Sequence, residues 1–390
     1  MTSPAPHSSC PHPLRGLTLD ELRRRTSIKW RSHSADVLPL WVAEMDVLVA
    51  EPVVRAITDA MRSGDTGYPA GTGYSEAYAD FASQRWAWDG LDPARTAIVT
   101  DVMTGIVEAI RLVSEPGDPV IINPPVYPPF AGYVEHASRV VVEAPLGPDG
   151  RLDLVSLEKA FVSAGSGGRP VTYLLCNPHN PTAVVHTADE LAAVAALAEA
   201  YAVRVVVDEI HGPLAAADFV PYLSVAGTGT AFSVASASKA WNLAGMKAAL
   251  LVGGEETADV LARLPEVVSH GPSHFGVVAH VAALSEGRTW LDGLQIDLAE
   301  NRTILSGLLE AYLPGVRWNG GGGTYLAWLD CRDLGLGDDP AEQFLDVGRV
   351  AVNSGLPFGS GGAGHVRLNY ATTPEILAEA VERMARTLRA

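Results

Sequence analysis

Lysine is scarce in this chain, cysteine is scarcer, and no apolar run is long enough to span a membrane. Each shortage removes a class of function. The only lysines among the 390 residues are Lys29, Lys159, Lys239 and Lys247, and acidic side chains outnumber basic ones to leave a net charge of −17. A surface of that sign repels nucleic-acid phosphates and anionic membranes, although a local basic pocket for one phosphate remains compatible with it. Three widely spaced cysteines, Cys10, Cys176 and Cys331, with no CxxC, exclude a disulfide framework and a cysteine zinc site, and fit a reducing cytoplasm. No HExxH or comparable metal-ligand spacing occurs, so His179 and His211 are not read as ligands and no metal is expected. No GxxxxGK[ST] accompanies the acidic strand end at Asp208, which leaves a nucleotide-hydrolase reading without its phosphate loop. The first residues, through Pro13, lack a signal-peptide core and read as a disordered arm.

What is present is apolar and alternating. Apolar residues make up 47% of the chain and charged residues 19%, the composition of a well-buried protein too long for a single ordinary core. Glu51-Pro52 opens a helix that Gly64 stops. Strands are expected at 97–100, 120–123, 140–143, 171–176, 203–207 and 231–234, with helices at 104–113, 128–136 and 187–201 between them. This alternation predicts βαβ units and a mostly parallel sheet. After about residue 285 it loosens: a helix over 290–313, a glycine run at 320–323, a strand over 324–330, and a return through a second glycine-rich loop to Val366-Arg367 and a last helix. The resulting division is a flexible arm over 1–27, a large domain over 50–285, and a small α/β domain made of 28–49 and 286–390.

The unusual residues fall at predicted carboxyl ends of strands, where open α/β sheets bind ligands. Asp208 follows Val205-Val206-Val207, and a carboxylate there needs a cationic or hydrogen-bonding partner; a protonated pyridine nitrogen is one, a helix-capping role the plainer alternative. Lys239 follows 31 residues later, among small residues in Ser236-Ala-Ser-Lys239, a setting that desolvates an amine and makes it nucleophilic; a surface lysine at a helix start is the alternative. Lys247 and Ser236, with the backbone of Met103 and Thr104 opening a helix, compose one anion site. Asn180 sits in Asn177-Pro-His-Asn-Pro-Thr182, a rigid turn able to hold an amide against a ring hydroxyl. Tyr127, between prolines, is placed to stack on a flat heterocycle or to pack a turn. Arg367, after a glycine-rich loop, is read as a grip on a carboxylate, with a surface salt bridge as its alternative.

Together with Leu38-Pro-Leu-Trp-Val-Ala-Glu-Met-Asp46, Gly67-Tyr68-Pro69, Asp208-Glu-Ile-His211, Thr324-Tyr-Leu-Ala-Trp-Leu-Asp330 and Val366-Arg-Leu-Asn369, these motifs make the chain resemble the fold-type I, class I/II aminotransferase superfamily of pyridoxal 5′-phosphate enzymes. Within it the chain looks most like the cystathionine β-lyase branch of the MalY/PatB kind, from about Lys29 to the C-terminus. The resemblance implies an aspartate aminotransferase-like fold, with a large, mostly parallel mixed-sheet domain and a smaller α/β domain. It implies that Lys239 carries the cofactor and is catalytic, that Asp208 pairs with the ring nitrogen, and that Asn180 binds the ring hydroxyl. His211 stands where many aminotransferases put a tyrosine with that last task. Tyr127 stacks on the ring, Ser236, Lys247 and the Met103-Thr104 backbone hold the phosphate, and Arg367, with Asn180, binds the substrate carboxylate. Tyr68 reaches the neighbouring subunit's cofactor and takes part in catalysis there, which makes the unit a homodimer acting on a small amino acid.

The implied activity is carbon–sulfur β-elimination on cystathionine or another cysteine S-conjugate; transamination and decarboxylation-coupled chemistry use the same residues and stay open. A cofactor-fold regulator is the non-enzymatic rival, and the chain carries neither a helix-turn-helix extension nor a basic patch for it. Four positions depart from the family pattern: Ala183 for glycine after Asn-Pro-Thr, Glu44 and Val47 in the family's Ala-Asp-Met-Asp-Phe, and Trp241 for phenylalanine. They are expected to bear on the substrate and to leave cofactor binding intact.

Overall fold

The computed structural model describes residues 12–215 and 219–389. Twelve strands lie along them: β1 (Leu38–Pro39), β2 (Thr96–Val99), β3 (Pro119–Ile122), β4 (Val140–Glu143), β5 (Thr172–Cys176), β6 (Arg204–Asp208), β7 (Phe232–Ala235), β8 (Ala249–Gly253), β9 (Leu326–Asp330), β10 (Val350–Ala351), β11 (Asn353–Ser354) and β12 (His365–Asn369). Seven form one sheet in the order β2-β8-β7-β6-β5-β3-β4. All its pairings are parallel except the two made by β8.

The apolar runs explain why this sheet lies inside. A strand covered on both faces needs hydrophobic residues at successive positions, and β5, β7 and β8 are buried along their whole length. The pleat sends alternate side chains to opposite sides. Leu174 and Val206 meet Ile106, Ile110 and Phe130 on one face. Tyr173, Leu175, Val205 and Val207 meet Phe161, Leu191 and Val194 on the other. The helix Glu51–Ser63 ends where Gly64 takes a left-handed φ of +76°.

The remaining strands form a three-stranded antiparallel sheet, β11-β12-β9, and a parallel pair, β1-β10. The pair Leu38↔Val350 and Pro39↔Ala351 ties the segment before residue 50 to the C-terminal part. On that pairing we propose the division expected from the sequence, 50–285 against 28–49 with 286–390. The arm expected over 1–27 differs in its second half; residues 1–11 lie outside the described residues. From residue 12 the chain is packed against the helix Arg288–Tyr312: Leu14 N–H donates to Asp297 Oδ2 at 2.9 Å, and Leu14 and Leu22 are fully buried. Thr18 and Glu21 form a reciprocal capping box that starts a turn of helix there. Two buried leucines and a capped turn give this short stretch the contacts that composition alone does not show.

Candidate active site

Five stretches that follow β2, β3, β5, β6 and β7 of the large sheet close around a cavity of about 200 Å³. Lys239, Asp208, Asn180, His211, Tyr127, Met103 and Lys247 all line it. Ser236 does not. Its buried hydroxyl donates to the Ala248 carbonyl at 2.9 Å and accepts the Ser238 N–H at 3.1 Å, so the neighbour Ser238 stands on the wall instead. Thr104 faces the helix opening, where its N–H donates to Asp101 Oδ1 at 2.8 Å. Tyr68 lies on an exposed loop, tilted against His270 at 6.0 Å, and is 82% exposed.

Lys239 Nζ donates to the Ala43 carbonyl at 2.9 Å, and Tyr325 Oη donates to the same oxygen at 2.9 Å. Burial, helped by the Arg367 charge, brings the Lys239 ammonium down to about 8, against the opposing pull of Asp208 and Glu44. Burial raises Asp208 to about 6, with the Ile210 N–H and Lys239 acting the other way. Among the described residues the one hydrogen bond to its carboxylate comes from Ile210 N–H at 3.0 Å. A buried carboxylate so lightly satisfied accommodates a cationic ring nitrogen. His211 is buried and held neutral, its acidity increased by burial and by Lys239 and Arg367; its Nδ1 has no partner among the described residues. His211 lines the wall, and a buried ring nitrogen without a partner fits a ligand that brings a hydroxyl.

Asn180 sits in a turn whose Asn177–Pro178 and Asn180–Pro181 bonds are cis. Its carbonyl accepts the Tyr127 N–H at 2.9 Å, which binds the two loops together. Arg367 rises from β12 and is buried. Its Nη1 donates to Asn180 Oδ1 at 3.0 Å and its Nη2 to Asn353 Oδ1 at 2.7 Å and the Trp41 carbonyl at 3.2 Å. Phe358 lies under the guanidinium at 5.2 Å. No carboxylate of the described residues lies within ion-pair distance of it, and its Nε has no partner. A buried cation without an anion calls for one from a ligand. The residues thus fit pyridoxal phosphate: a lysine of lowered pKa, a carboxylate for a ring nitrogen, an aromatic wall and an anion-seeking arginine.

The four departures resolve differently. Ala183 keeps the left-handed conformation that glycine usually takes, with φ +56°. Glu44 accepts the Ser27 hydroxyl at 2.5 Å, turned toward the N-terminal segment, and Val47 is buried. Trp241 faces the core, not the cavity: it is fully buried, donates to the Gly287 carbonyl at 3.0 Å and packs edge-on against Phe81. The sequence reading missed Ala43, Asp101, Ser238 and Tyr133 on the wall. Asp101 alone carried a signal, an aspartate directly before a helix, in the preferred capping position.

The aminotransferase class I and II family model matches residues 35–384. The chain is 56% identical, over 97% of its length and 98% of the other's, to a Mycobacterium tuberculosis protein named "Putative cystathionine beta-lyase". It is 34% identical to the cystathionine beta-lyase of Corynebacterium glutamicum, over 95% of this chain and 99% of that one. Among solved structures, cystalysin from Treponema denticola, which contains pyridoxal 5′-phosphate, superposes with a TM-score of 0.87 at 25% identity, over 94% of this chain and 97% of that one.

Proposed function

Because the chain belongs to the class I and II aminotransferase family, as a cystathionine β-lyase-like member of the fold-type I superfamily, we propose that it is a carbon–sulfur β-lyase. In this reading it splits cystathionine or another cysteine S-conjugate into a thiol, pyruvate and ammonia. Pyridoxal 5′-phosphate is its cofactor. The observation that carries the lyase reading is the near full-length likeness to proteins bearing the cystathionine β-lyase name.

The cofactor, when bound, supplies an electron sink that stabilises negative charge at the Cα of an amino acid. The chain's own residues do the rest. Lys239 is the attachment point, and its Nζ, at a pKa of about 8, is neutral often enough near pH 7 to take a Cα proton. That proton then stands on Nζ, available to a departing thiolate. Asp208 would pair with the ring nitrogen, and Asn180 and His211 would hold the ring hydroxyl. Arg367, fixed by Asn180, Asn353 and Phe358, would grip the substrate α-carboxylate and so orient its Cα. Lys247 and the opening turn at Met103-Thr104 receive the phosphate in this reading, with Ser238, on the wall, in place of the Ser236 expected from the sequence.

Tyr68 is exposed and does not line its own cavity, and it is read as serving the partner's site in a homodimer. No helix among the described residues is long and apolar enough to cross a membrane. Cys176 and Cys331 are free and buried, which supports a cytoplasmic enzyme.

Cystathionine given without any keto acid tests the reading. The expected outcome is homocysteine and pyruvate in equal amounts. Product that forms only after a keto acid is added would make the chain an aminotransferase, the activity its family model also describes.

A further inference from the structure

Asp101 stands at the opening of the helix Val102–Val113 and caps it by accepting the Thr104 N–H on Oδ1 at 2.8 Å. Its other oxygen, Oδ2, lies 2.9 Å from Lys247 Nζ. These two donors, a helix-opening N–H and the Lys247 ammonium, are the ones the reading above gives to the cofactor's phosphate. The carboxylate lines the same cavity as Lys239 and Asp208. Beyond Lys239, Lys247 is the one cation on that wall, so a single ammonium faces two anions.

The Asp101–Lys247 pair is easily opened. The lysine side chain is 54% exposed and the aspartate 30%, and ion pairs so wetted add little to stability. Lys247 can therefore turn to a phosphate at small cost. Opening the pair leaves the carboxylate where it was, because its bond to Thr104 N–H still fixes it. A phosphate ester carries about −1.5 to −2 charges at pH 7, and a fixed negative charge beside it opposes binding.

We propose that Asp101 sets the affinity of the cofactor site: it shares Thr104 N–H and Lys247 with the phosphate and makes the site hold the phosphorylated cofactor less tightly than the same cradle would without it. The inference rests on the reading that Lys247 and the helix opening receive the phosphate, and the experiment separates the two.

Asp101→Asn removes the charge and keeps an equally good cap. The full-length wild type, Asp101→Asn and Lys247→Ala, each freed of cofactor, are titrated with pyridoxal phosphate and with pyridoxal, followed by quenching of tryptophan fluorescence. Pyridoxal lacks the phosphate and reports everything else in the site. Asp101→Asn is expected to bind pyridoxal phosphate roughly five- to tenfold more tightly, about 1–1.4 kcal/mol, with pyridoxal unchanged. Lys247→Ala is expected to weaken pyridoxal phosphate alone. If Lys247→Ala weakens it while Asp101→Asn leaves it unchanged, weakens it, or shifts pyridoxal equally, the inference is overturned and the phosphate reading stands. If Lys247→Ala has no effect on pyridoxal phosphate, the phosphate reading falls and the inference with it.

Discussion

Two carboxyl groups stand side by side at the end of β6, and the pleat sends them to opposite faces. Asp208 lines the cavity; Glu209 is buried behind it, accepting the Ser233 hydroxyl at 2.5 Å and the Tyr222 N–H at 2.7 Å. Burial raises Glu209 to about 7 from an ordinary value of 4.5, with Ser233 and Tyr222 opposing and Asp208 adding to the rise. The folded chain therefore keeps this proton longer than the unfolded one does. Stability from it is fully present below pH 4.5 and is lost as pH rises through about 7, a change of roughly 3 kcal/mol across that window. Glu209→Gln cannot titrate, and its amide can serve both Tyr222 and Ser233. Its melting temperature, compared with wild type at equal cofactor concentration, is expected to gain several degrees between pH 5 and pH 8; parallel curves would show that Glu209 carries no proton in the fold. At this scale the sequence is legible where the side chain itself acts. Asp208 and Lys239 announce themselves by residue type, whereas Ala43 acts through its carbonyl, which no sequence marks, and the choice between Ser236 and Ser238 depends on which way a short turn faces.

The segment 41–45 has no sheet ladder beyond β1, and side chains from elsewhere satisfy its backbone. Arg367 donates to the Trp41 carbonyl, Asn369 to Val42 at 2.8 Å and to Glu44 at 2.7 Å, and Lys239 to Ala43. Asn242, three residues past the lysine, bonds Met45 twice: it accepts the N–H at 2.8 Å and donates to the carbonyl at 3.0 Å. One element thus joins the carboxylate-seeking arginine to the lysine. Asn242 holds a φ of +58°, tolerable for asparagine and costly for alanine by about 1–2 kcal/mol. Asn242→Ala loses both bonds and meets that cost; Asn242→Gly loses the bonds alone. Urea unfolding is expected to rank the wild type first, glycine second and alanine last, the variants separated by about 1 kcal/mol. Equal variants would mean the backbone strain is relieved elsewhere. Legibility follows the same physics here. β3, β5, β6 and β7 lie within a residue or two of their expected places because apolar runs bounded by polar turns mark buried strands. The helix His274–Glu286 and the antiparallel β8 gave no such mark: the helix is small and apolar on most sides, and β8 directly follows the Lys247 motif without a turn signal. The segment 41–45 is irregular, and its partners at Trp41 and Val42, Arg367 and Asn369, lie more than 300 residues away.

At the scale of the whole molecule, the unresolved demand is at the surface beside Tyr68. That tyrosine is 82% exposed, and Val267, in the short helix that precedes its ring partner His270, is 74% exposed. Large apolar side chains gathered at one place call for cover, and a second copy of an acidic chain must bring that cover through shape and apolar contact, since the like net charges of −17 repel. The homodimer reading makes each site a composite, with Lys239 from one subunit and Tyr68 from the other. Two crippled variants then complement each other. Lys239→Ala and Tyr68→Ala homodimers each lack a needed group in both sites. In a mixed dimer, one site combines both lesions, and the other combines an intact Lys239 with an intact Tyr68. Two-fold symmetry fixes the yield: random exchange of equal amounts makes about half the dimers mixed, each with one good site of two, so activity returns to about a quarter of wild type. The measurement is elimination activity after denaturing and refolding the two variants together, against each refolded alone. Recovery near a quarter places Tyr68 across the boundary, whereas mixtures no more active than the sum of their parts would put both residues in the same subunit's site or show that Tyr68 has no part in it.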